Sequence, residues 1–248
     1  LHLYPVSQME LRMVHNSFDL KQMKEDFLIY GSYPEVVSLD NRNDKIMILK
    51  EIAESYLLRD ILQLDNVKNS KILLDLLRLL AYQIGKEVSI NEIATQLGYD
   101  RKTINRYLDL LEKSFVLINI RGYNKNLRKE ISKKSKFYFY DIGIRNALIS
   151  NFNKMALRDD IGLLWENFIF MERLKYRTYK NISANMYFWR TFDGKEIDLI
   201  EERDGHLYAY EIKYKDDKIK IPSDWKKSYQ NSSYEVINSE KYLGYIGI

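Results

Sequence analysis

The sequence predicts a mixed α/β protein in three segments, and two kinds of pattern support this fold class. Apolar residues recur at helical spacing through much of the first half of the chain, whereas alternating, strand-like runs dominate its last third. The composition, with 46% apolar and 30% charged residues, is typical of globular proteins. We place the segments at residues 1–69, 70–150 and 151–248, and we find no internal repeat.

The first segment, residues 1–69, is predicted to be helical. Helices are expected over residues 18–30 and 44–64. Gly31 and Pro34 separate these helices, because glycine and proline interrupt helical structure.

Three helices with clear end signals open the second segment, residues 70–150. The first is expected over residues 71–84. Ser89 starts the second helix, Glu92 three residues on completes a capping box, and Gly98 ends it. Asp100 caps the third helix, which has an apolar stripe at helical spacing. The stripe residues are Ile104, Tyr107, Leu108 and Leu111.

Two strand-like runs, residues 115–120 and 136–140, follow the third helix. The order helix, short helix, turn, helix and two strands is that of a winged helix-turn-helix. Between residues 121 and 136 lie seven lysine or arginine residues and one glutamate, a net charge of +6, although the whole chain carries only +4. Basic charge so concentrated is typical of a binding patch.

We expect the third helix and the wing to contact DNA. The first residues of a recognition helix enter the major groove, and the polar residues off the apolar stripe suit phosphates and base edges. A basic wing would follow the phosphate backbone and add salt-dependent affinity. The alternative is a packing module with solvated charges, but clustered charge together with suitable helix residues favours DNA. The predicted DNA-binding residues are Arg101, Lys102, Asn105 and Arg106 on the helix and Lys129, Lys133 and Lys134 in the wing.

The third segment, residues 151–248, is predicted to be an α/β domain, in which helices flank a set of strands. A helix is expected over residues 161–176, and Pro222 is placed to start a short one. Strands are expected at residues 185–190, 196–201, 207–214 and 234–237.

Asp204 and Gly205 separate two alternating apolar runs, which is a strong signal for a type I′ hairpin turn. If these two residues form the turn, Asp198 lies directly opposite Glu211 on one face of the hairpin. Lys213, two residues beyond Glu211, points to that same face. The other face has the pattern of a core, with Ile197, Leu199, Tyr208, Tyr210 and Ile212.

Two carboxylates directly opposed across neighbouring strands repel each other and destabilise the sheet. A cation between Asp198 and Glu211 would relieve the repulsion, and Mg²⁺ suits paired carboxylates with open positions for water and phosphate. Lys213 would then orient or activate a water molecule, or hold the phosphate charge. The alternative is a surface Lys213 that neutralises two exposed acids, and this alternative is favoured for so short a pattern taken alone.

Glu166 changes that balance, because it lies in an otherwise apolar stretch of the 161–176 helix. A charge so placed is rarely buried without a partner, and the alternative is a surface glutamate paired with Arg173. The motif formed by these residues resembles that of the PD-(D/E)XK nuclease superfamily, which has a helix glutamate, a strand aspartate and a strand Glu-x-Lys in this order. That resemblance implies that Glu166, Asp198 and Glu211 are ligands of Mg²⁺ or acids of its site, and that Lys213 is the catalytic lysine.

Further short segments extend over nearly the whole chain. They are Leu-Tyr-Pro-Val-Ser at 3–7, Gly-Ser-Tyr-Pro-Glu-Val at 31–36, Tyr-Leu-Leu-Arg-Asp-Ile at 56–61, and Phe-Tyr-Asp-Ile-Gly at 139–143 followed by Trp-Glu-Asn at 165–167. Together they resemble the C-terminal region of an AAA-type ATPase family of bacteria and archaea, which carries a domain of unknown function. Ser32 departs from this pattern, since the family usually has glycine there.

This resemblance implies an ATPase core outside the chain, which contains no GxxxxGK[ST] phosphate loop. We therefore expect ATP to bind only in the full-length protein. The expected partners are DNA and the ATPase module, through which oligomers could form.

Several classes of site and location are disfavoured. The chain has no cysteine, so disulfides and thiolate metal sites are excluded, and its three histidines are scattered. No apolar run approaches the roughly 18 residues of a membrane helix and no signal peptide is present, so we expect no membrane partner. The absence of cysteine fits a cytoplasmic location, which we expect. Two functions stay open: a metal-dependent DNA nuclease coupled to an ATPase, and a non-catalytic DNA-binding or regulatory module that retains a nuclease-like fold.

Overall fold

The computed structural model describes residues 3–56, 70–124, 135–215 and 219–248. Three of the predicted DNA-binding residues, Lys129, Lys133 and Lys134, lie outside the described residues, as does most of the 56–61 motif. The described part confirms a mixed α/β protein with a seven-stranded mixed sheet. Within the described ranges, no helix is both long and apolar enough to cross a membrane.

The first segment is helical, as predicted. Its helices are α1 (Gln8–Leu11), α2 (Ser17–Tyr30), α3 (Pro34–Val37) and α4 (Arg42–Glu51), and α4 continues as a π-helical turn over Ile52–Tyr56. The side chain of Asn41 caps α4 by accepting a hydrogen bond from the Asn43 backbone, which places the start of this helix before the predicted residue 44.

The three helices of the predicted helix-turn-helix lie close to their predicted positions. Ser89 accepts a hydrogen bond from the Glu92 backbone, but the Glu92 side chain does not bond back to Ser89, so the predicted capping box is half formed. The three helices are α5 (Ser70–Tyr82), α6 (Ile90–Leu97) and α7 (Arg101–Lys113). The side chains of Ser89 and Asp100 cap α6 and α7, and Gly98 ends α6 in the left-handed conformation at φ 73°. In α7, Ile104, Leu108 and Leu111 are buried, so the predicted stripe faces the core.

The two predicted wing strands are part of the main sheet. The strands are β1 (Glu87–Val88), β2 (Leu117–Gly122), β3 (Ser135–Phe139), β4 (Asn185–Arg190), β5 (Glu196–Arg203), β6 (His206–Ile212) and β7 (Ser232–Ile237), in the order β1-β3-β2-β4-β5-β6-β7. β2 pairs with β3 antiparallel and with β4 in parallel, so one sheet runs through the second and third segments. All five residues of β3 are buried, because the strand is covered on both faces.

The remaining helices flank this sheet. They are α8 (Ile142–Leu148), α9 (Ile161–Tyr179), α10 (Ser223–Ser228) and α11 (Tyr242–Tyr245), with a 3₁₀ turn at Met155–Leu157. α8 was not predicted, and all seven of its residues are buried. The amide of Asn146 donates to the carbonyls of Leu28 and Ile29, so α8 ties the first segment to the rest of the molecule.

Asp141 joins the same two parts of the chain. One carboxylate oxygen, Oδ2, accepts a 2.7 Å hydrogen bond from the backbone of Ser32, and the other caps α8 through the Ile144 backbone. A side chain at Gly31 would overlap the Asp141 carboxylate, and one at Gly143 would overlap the carbonyl of Tyr30. These contacts give the 31–36 and 139–143 motifs a shared structural role.

The β5–β6 hairpin has the predicted register over its paired residues, 199–203 with 206–210. Asp198 and Glu211, predicted to pair directly, lie just beyond the last of these pairs. Arg203 pairs with His206 and Leu199 with Tyr210, around a turn whose Asp204 and Gly205 have φ of 51° and 71°. The predicted apolar face is wrong in one respect. Ile197 belongs to a smaller hydrophobic cluster, whereas Leu199, Tyr210 and Ile212 belong to the main core. The cause is a register shift between β4 and β5, which changes the side-chain alternation at this point.

Candidate active site

A cavity of about 500 Å³ lies beside the open end of the β5–β6 hairpin. Its lining residues are Gly85, Lys86, Glu87, Lys136, Leu163, Glu166, Arg190, Glu196, Asp198, Glu211 and Lys213. Among them are all four predicted catalytic residues, which come from α9, from β5 and from the end of β6. The structure thus brings Glu166 next to the hairpin carboxylates, although it lies 32 positions before Asp198 in the chain.

Asp198, Glu211 and Lys213 form a compact charged group. The ammonium nitrogen of Lys213 lies 3.3 Å from Asp198 Oδ2 and 2.7 Å from Glu211 Oε1. The backbone of Ile212 also donates to Asp198 Oδ2, at 2.8 Å. Lys213 does neutralise both acids, as the surface alternative requires, but the acids themselves are buried. The register shift beside Asp198 is of the kind that redirects side chains near functional sites.

Glu166 is buried on α9 and its partners differ from the predicted alternative. Its Oε1 accepts hydrogen bonds from the hydroxyl of Tyr138 at 2.6 Å and from the ammonium of Lys136 at 3.2 Å. Arg173 does not pair with it. Arg173 instead forms a two-pronged ion pair with buried Glu201, with distances of 2.8 and 3.0 Å. The alternative interpretation, a surface Glu166 paired with Arg173, is therefore wrong.

Lys136 is the last residue of the basic stretch 121–136, which was expected to form a binding patch, and for this residue the expectation is wrong. The residue is only 2% exposed and forms ion pairs with Glu166 and with Glu196. Arg190 lies 3.5 Å from Glu196 and 3.7 Å from Glu87, which extends the charge network to β1. A signal for this burial existed in the sequence, since Lys136 precedes four aromatic residues in the strand-like run 136–140.

Burial has opposite consequences for the acids and the lysines of the cavity. Burial raises the pKa of Glu166 to about 7, against the lowering effect of Lys136, and raises the pKa of Glu211 to about 7 with help from the charge of Asp198. Burial alone would lower the pKa of Lys213, but Asp198 and Glu211 raise it above its ordinary value. Lys213 is therefore an ammonium group at neutral pH, whereas the two glutamates titrate near that pH.

The carboxylate oxygens fit a hard divalent cation in chemical type. Glu211 Oε2 is buried and has no hydrogen-bond partner among the described residues, so this oxygen could accept a ligand. Glu166, Asp198 and Glu211 are the side chains that could hold such an ion. Within the described part of the chain, however, no three acidic, histidine or cysteine side chains are already arranged to hold a metal.

The predicted DNA-binding residues of α7 have mixed exposure. Arg101, Lys102 and Arg106 are exposed, and Asn105 is half-buried. The apolar stripe of α7 faces the core, so these side chains lie on the opposite side of the helix.

A family model described as Domain of unknown function (DUF8612) matches residues 21–155, more than half of the chain. The chain belongs to the DUF8612 family. A second model, Domain of unknown function (DUF4143), matches residues 161–244, and this domain is commonly found in the C-terminal region of AAA-ATPase-like proteins.

Relatives occur in bacteria and archaea, and each is described as an uncharacterized protein. A Haemophilus influenzae protein is 30% identical over 225 residues, which are 86% of this chain and 53% of that protein. A Mycobacterium tuberculosis protein is 31% identical over 137 residues, 54% of this chain and 30% of that protein. A Methanocaldococcus jannaschii protein is 28% identical over 159 residues, 62% and 34% of the two chains. The matches therefore cover about half or less of each relative. No solved structure matches the chain.

The DUF8612 region and the DUF4143 region both contribute to the cavity. Gly85, Lys86, Glu87 and Lys136 lie in the DUF8612 match, and the four predicted catalytic residues lie in the DUF4143 match. The hairpin signal located Asp198, Glu211 and Lys213, and the charge in an apolar helix located Glu166. The first group was missed because its residues reach the cavity only through the pairing of β1, β3 and β2 in the same sheet.

Proposed function

We propose that this chain is the DNA-handling C-terminal region of an AAA-type ATPase, and that its cavity hydrolyses DNA phosphodiester bonds with Mg²⁺. The observation that carries the proposal is that buried Asp198 and Glu211 share Lys213 in one cavity with Glu166. Buried carboxylates with raised pKa values in a cleft are common at functional sites. In a purely structural ion pair, few buried carboxylate oxygens lack a hydrogen-bond partner. Glu211 Oε2 is buried and has no such partner among the described residues.

In this proposal the acids and the lysine have separate tasks. Oxygens of Glu166, Asp198 and Glu211 would hold Mg²⁺, which when bound polarises the phosphate and lowers the pKa of a water molecule. We assign Lys213 no role as a base, because in the metal-free protein Asp198 and Glu211 raise its pKa and keep it an ammonium group. Its ammonium group would instead donate to a phosphate oxygen and stabilise the negative charge that develops there.

DNA binding and the link to an ATPase have separate support. Exposed Arg101, Lys102 and Arg106 lie together on α7, where phosphate and base-edge contacts are expected. The DUF4143 match is the support for an ATPase module in the full-length protein, which would bind ATP and could form oligomers. We also place the protein in the cytoplasm, which the absence of cysteine permits.

A cleavage assay tests the catalytic part of the proposal. Single- and double-stranded DNA would be incubated with the protein and Mg²⁺ or Mn²⁺, with chelator as the blank. Asp198→Asn should abolish cleavage and leave DNA affinity unchanged. Glu202→Gln, on the same strand but outside the cavity lining, should cleave like the wild type. Wild-type protein that cleaves neither DNA with either ion would contradict the proposal.

A non-catalytic DNA-binding or regulatory module is the second candidate. The observation in its favour is that Lys136 and Lys213 already form ion pairs with the acids, so a metal is not needed to offset most of their repulsion. This function predicts salt-sensitive DNA binding together with no cleavage and no rise in melting temperature on addition of Mg²⁺.

A further inference from the structure

Lys136 is a cation buried inside the sheet. It lies on β3, where it is 2% exposed, and its ammonium nitrogen is 3.2 Å from Glu166 Oε1 and in an ion pair with Glu196. The same nitrogen lies 5.3 Å from the centre of the Phe188 ring. Removing an ammonium group from water is unfavourable, and close carboxylates are what offset that cost. A lysine in such a position indicates a role that a surface lysine would not fill.

Direct contact with a substrate is a poor fit for this lysine. Two carboxylates and an aromatic ring surround its ammonium group, and almost none of the side chain reaches solvent. Lys213, by contrast, has a side chain that is 34% exposed at the same cavity. The two lysines therefore differ in their contacts: Lys213 is accessible from the cavity, whereas Lys136 is buried in its lining.

Hydrogen bonds from β3 hold Glu166 through one of its two carboxylate oxygens. Lys136 and Tyr138, which are two residues apart on β3 and so face the same side, both donate to Glu166 Oε1. Among the described residues, Oε2 of Glu166 receives no hydrogen bond. Gly85 stands close by, where an added Cβ would lie 3.4 Å from Oε1. This arrangement holds the carboxylate in place and leaves its second oxygen for a ligand.

We propose that Lys136, with help from Tyr138, is a positioning residue that holds Glu166 and Glu196 in the cavity so that Glu166 can bind a divalent cation. This role rests on the proposed hydrolase function. It makes the site a joint product of the two family regions, because β3 lies in the 21–155 match and Glu166 in the 161–244 match. Partners that orient metal ligands typically change metal affinity 10- to 100-fold when they are removed.

The test compares Mn²⁺ affinity, measured by calorimetry on the whole chain, with cleavage and DNA affinity. Lys136→Met removes the charge and keeps the apolar stem. We expect Mn²⁺ affinity to fall at least about 10-fold and cleavage to fall with it, with DNA affinity unchanged. Lys136→Arg should recover part of the Mn²⁺ affinity, because a guanidinium group can also meet two carboxylates. Lys113→Met, an exposed lysine at the end of α7, is the matched control and should behave as wild type.

Tyr138→Phe keeps the test valid if Lys136→Met fails to fold. It removes only the hydroxyl that donates to Glu166 Oε1, and we expect a smaller but measurable loss of Mn²⁺ affinity. If folded Lys136→Met protein binds Mn²⁺ as tightly as the wild type, the positioning role is overturned and the hydrolase proposal stands. If Lys136→Met does not fold, the same result for Tyr138→Phe leads to the same conclusion. Wild-type protein that binds no Mn²⁺ would overturn both.

Discussion

Glu211 and Lys213 lie two residues apart, and Glu211 Oε1 is 2.7 Å from the Lys213 ammonium nitrogen. The other oxygen of this carboxylate, Oε2, is buried and has no partner among the described residues. A buried carboxylate oxygen without a hydrogen bond costs free energy, on the order of 1–3 kcal/mol. A cation in the cavity would remove that cost, so Glu211 links the stability of the protein to the ligand it binds.

Replacing Lys213 separates charge neutralisation from catalysis. In Lys213→Ala, Asp198 and Glu211 lose their shared cation, so melting temperature without metal should fall and its rise with Mg²⁺ should exceed that of the wild type. Cleavage should fall about 100-fold or more, as when other groups that stabilise transition-state charge are removed. Thermal unfolding with and without Mg²⁺, and single-turnover cleavage, measure the two effects. Unchanged cleavage would exclude a catalytic role for Lys213.

Metal affinity should depend on pH around neutrality. The pKa values of Glu166 and Glu211 are raised from 4.5 to about 7 in the folded protein, so it binds more protons than the unfolded chain between these values. Their contribution to stability is fully present below pH 4.5 and is lost as pH rises through about 7. Because a metal needs the ionised carboxylates, Mg²⁺ affinity should rise over the same interval.

Thermal unfolding at about pH 5 and about pH 8, with and without Mg²⁺, measures this linkage. Mg²⁺ should stabilise the protein much more at the higher pH than at the lower. In Glu166→Gln/Glu211→Gln protein, both the stabilisation by metal and this part of the pH dependence should disappear. Equal stabilisation at the two pH values would contradict the assignment of these groups.

The α7 surface should supply DNA affinity. Arg101→Ala/Lys102→Ala/Arg106→Ala protein should bind DNA at least about 10-fold more weakly, and the slope of log affinity against log salt should fall by about one for each phosphate that the variant no longer neutralises. Lys113→Ala, on the same helix but at its other end, is the matched control. Fluorescence anisotropy at several salt concentrations gives both quantities. A triple variant with wild-type affinity would assign DNA binding to another surface.

Gly31 and Gly98 both have positive φ, but they differ in ψ and in packing. Gly98 (φ 73°, ψ 31°) lies in the left-handed helical region, and no atom stands where its Cβ would be. Gly31 (φ 71°, ψ −157°) lies in a region essentially restricted to glycine, and a Cβ there would overlap atoms of Asp141. Gly98→Ala should therefore cost about 1 kcal/mol, and Gly31→Ala about 3 kcal/mol because greater strain and overlap combine. Urea unfolding measures both costs, and equal values would contradict this difference.

Local patterns determined much of this protein from its sequence. Asp204-Gly205 fixed the hairpin register, since few residues adopt the positive φ that a two-residue turn requires. Ser89, Gly98 and Asp100 determined both ends of α6 and the start of α7, because caps act on backbone groups within three residues. These effects involve neighbours in the chain, so the hairpin carboxylates could be placed without a structure.

Tertiary structure alone decided which distant groups meet. The parallel pairing of β2 with β4 joins residues 66 positions apart, Arg121 with Tyr187, and it turned two predicted wing strands into the middle of a sheet. In this arrangement Lys136 is buried and forms an ion pair with Glu166. Arg173, the alternative partner of Glu166, forms its ion pair with Glu201. Charge and periodicity are the same in a surface lysine and a buried one. Only the carboxylates that the fold brings within reach determine whether a lysine can be buried, because an unpaired ammonium group would stay in water.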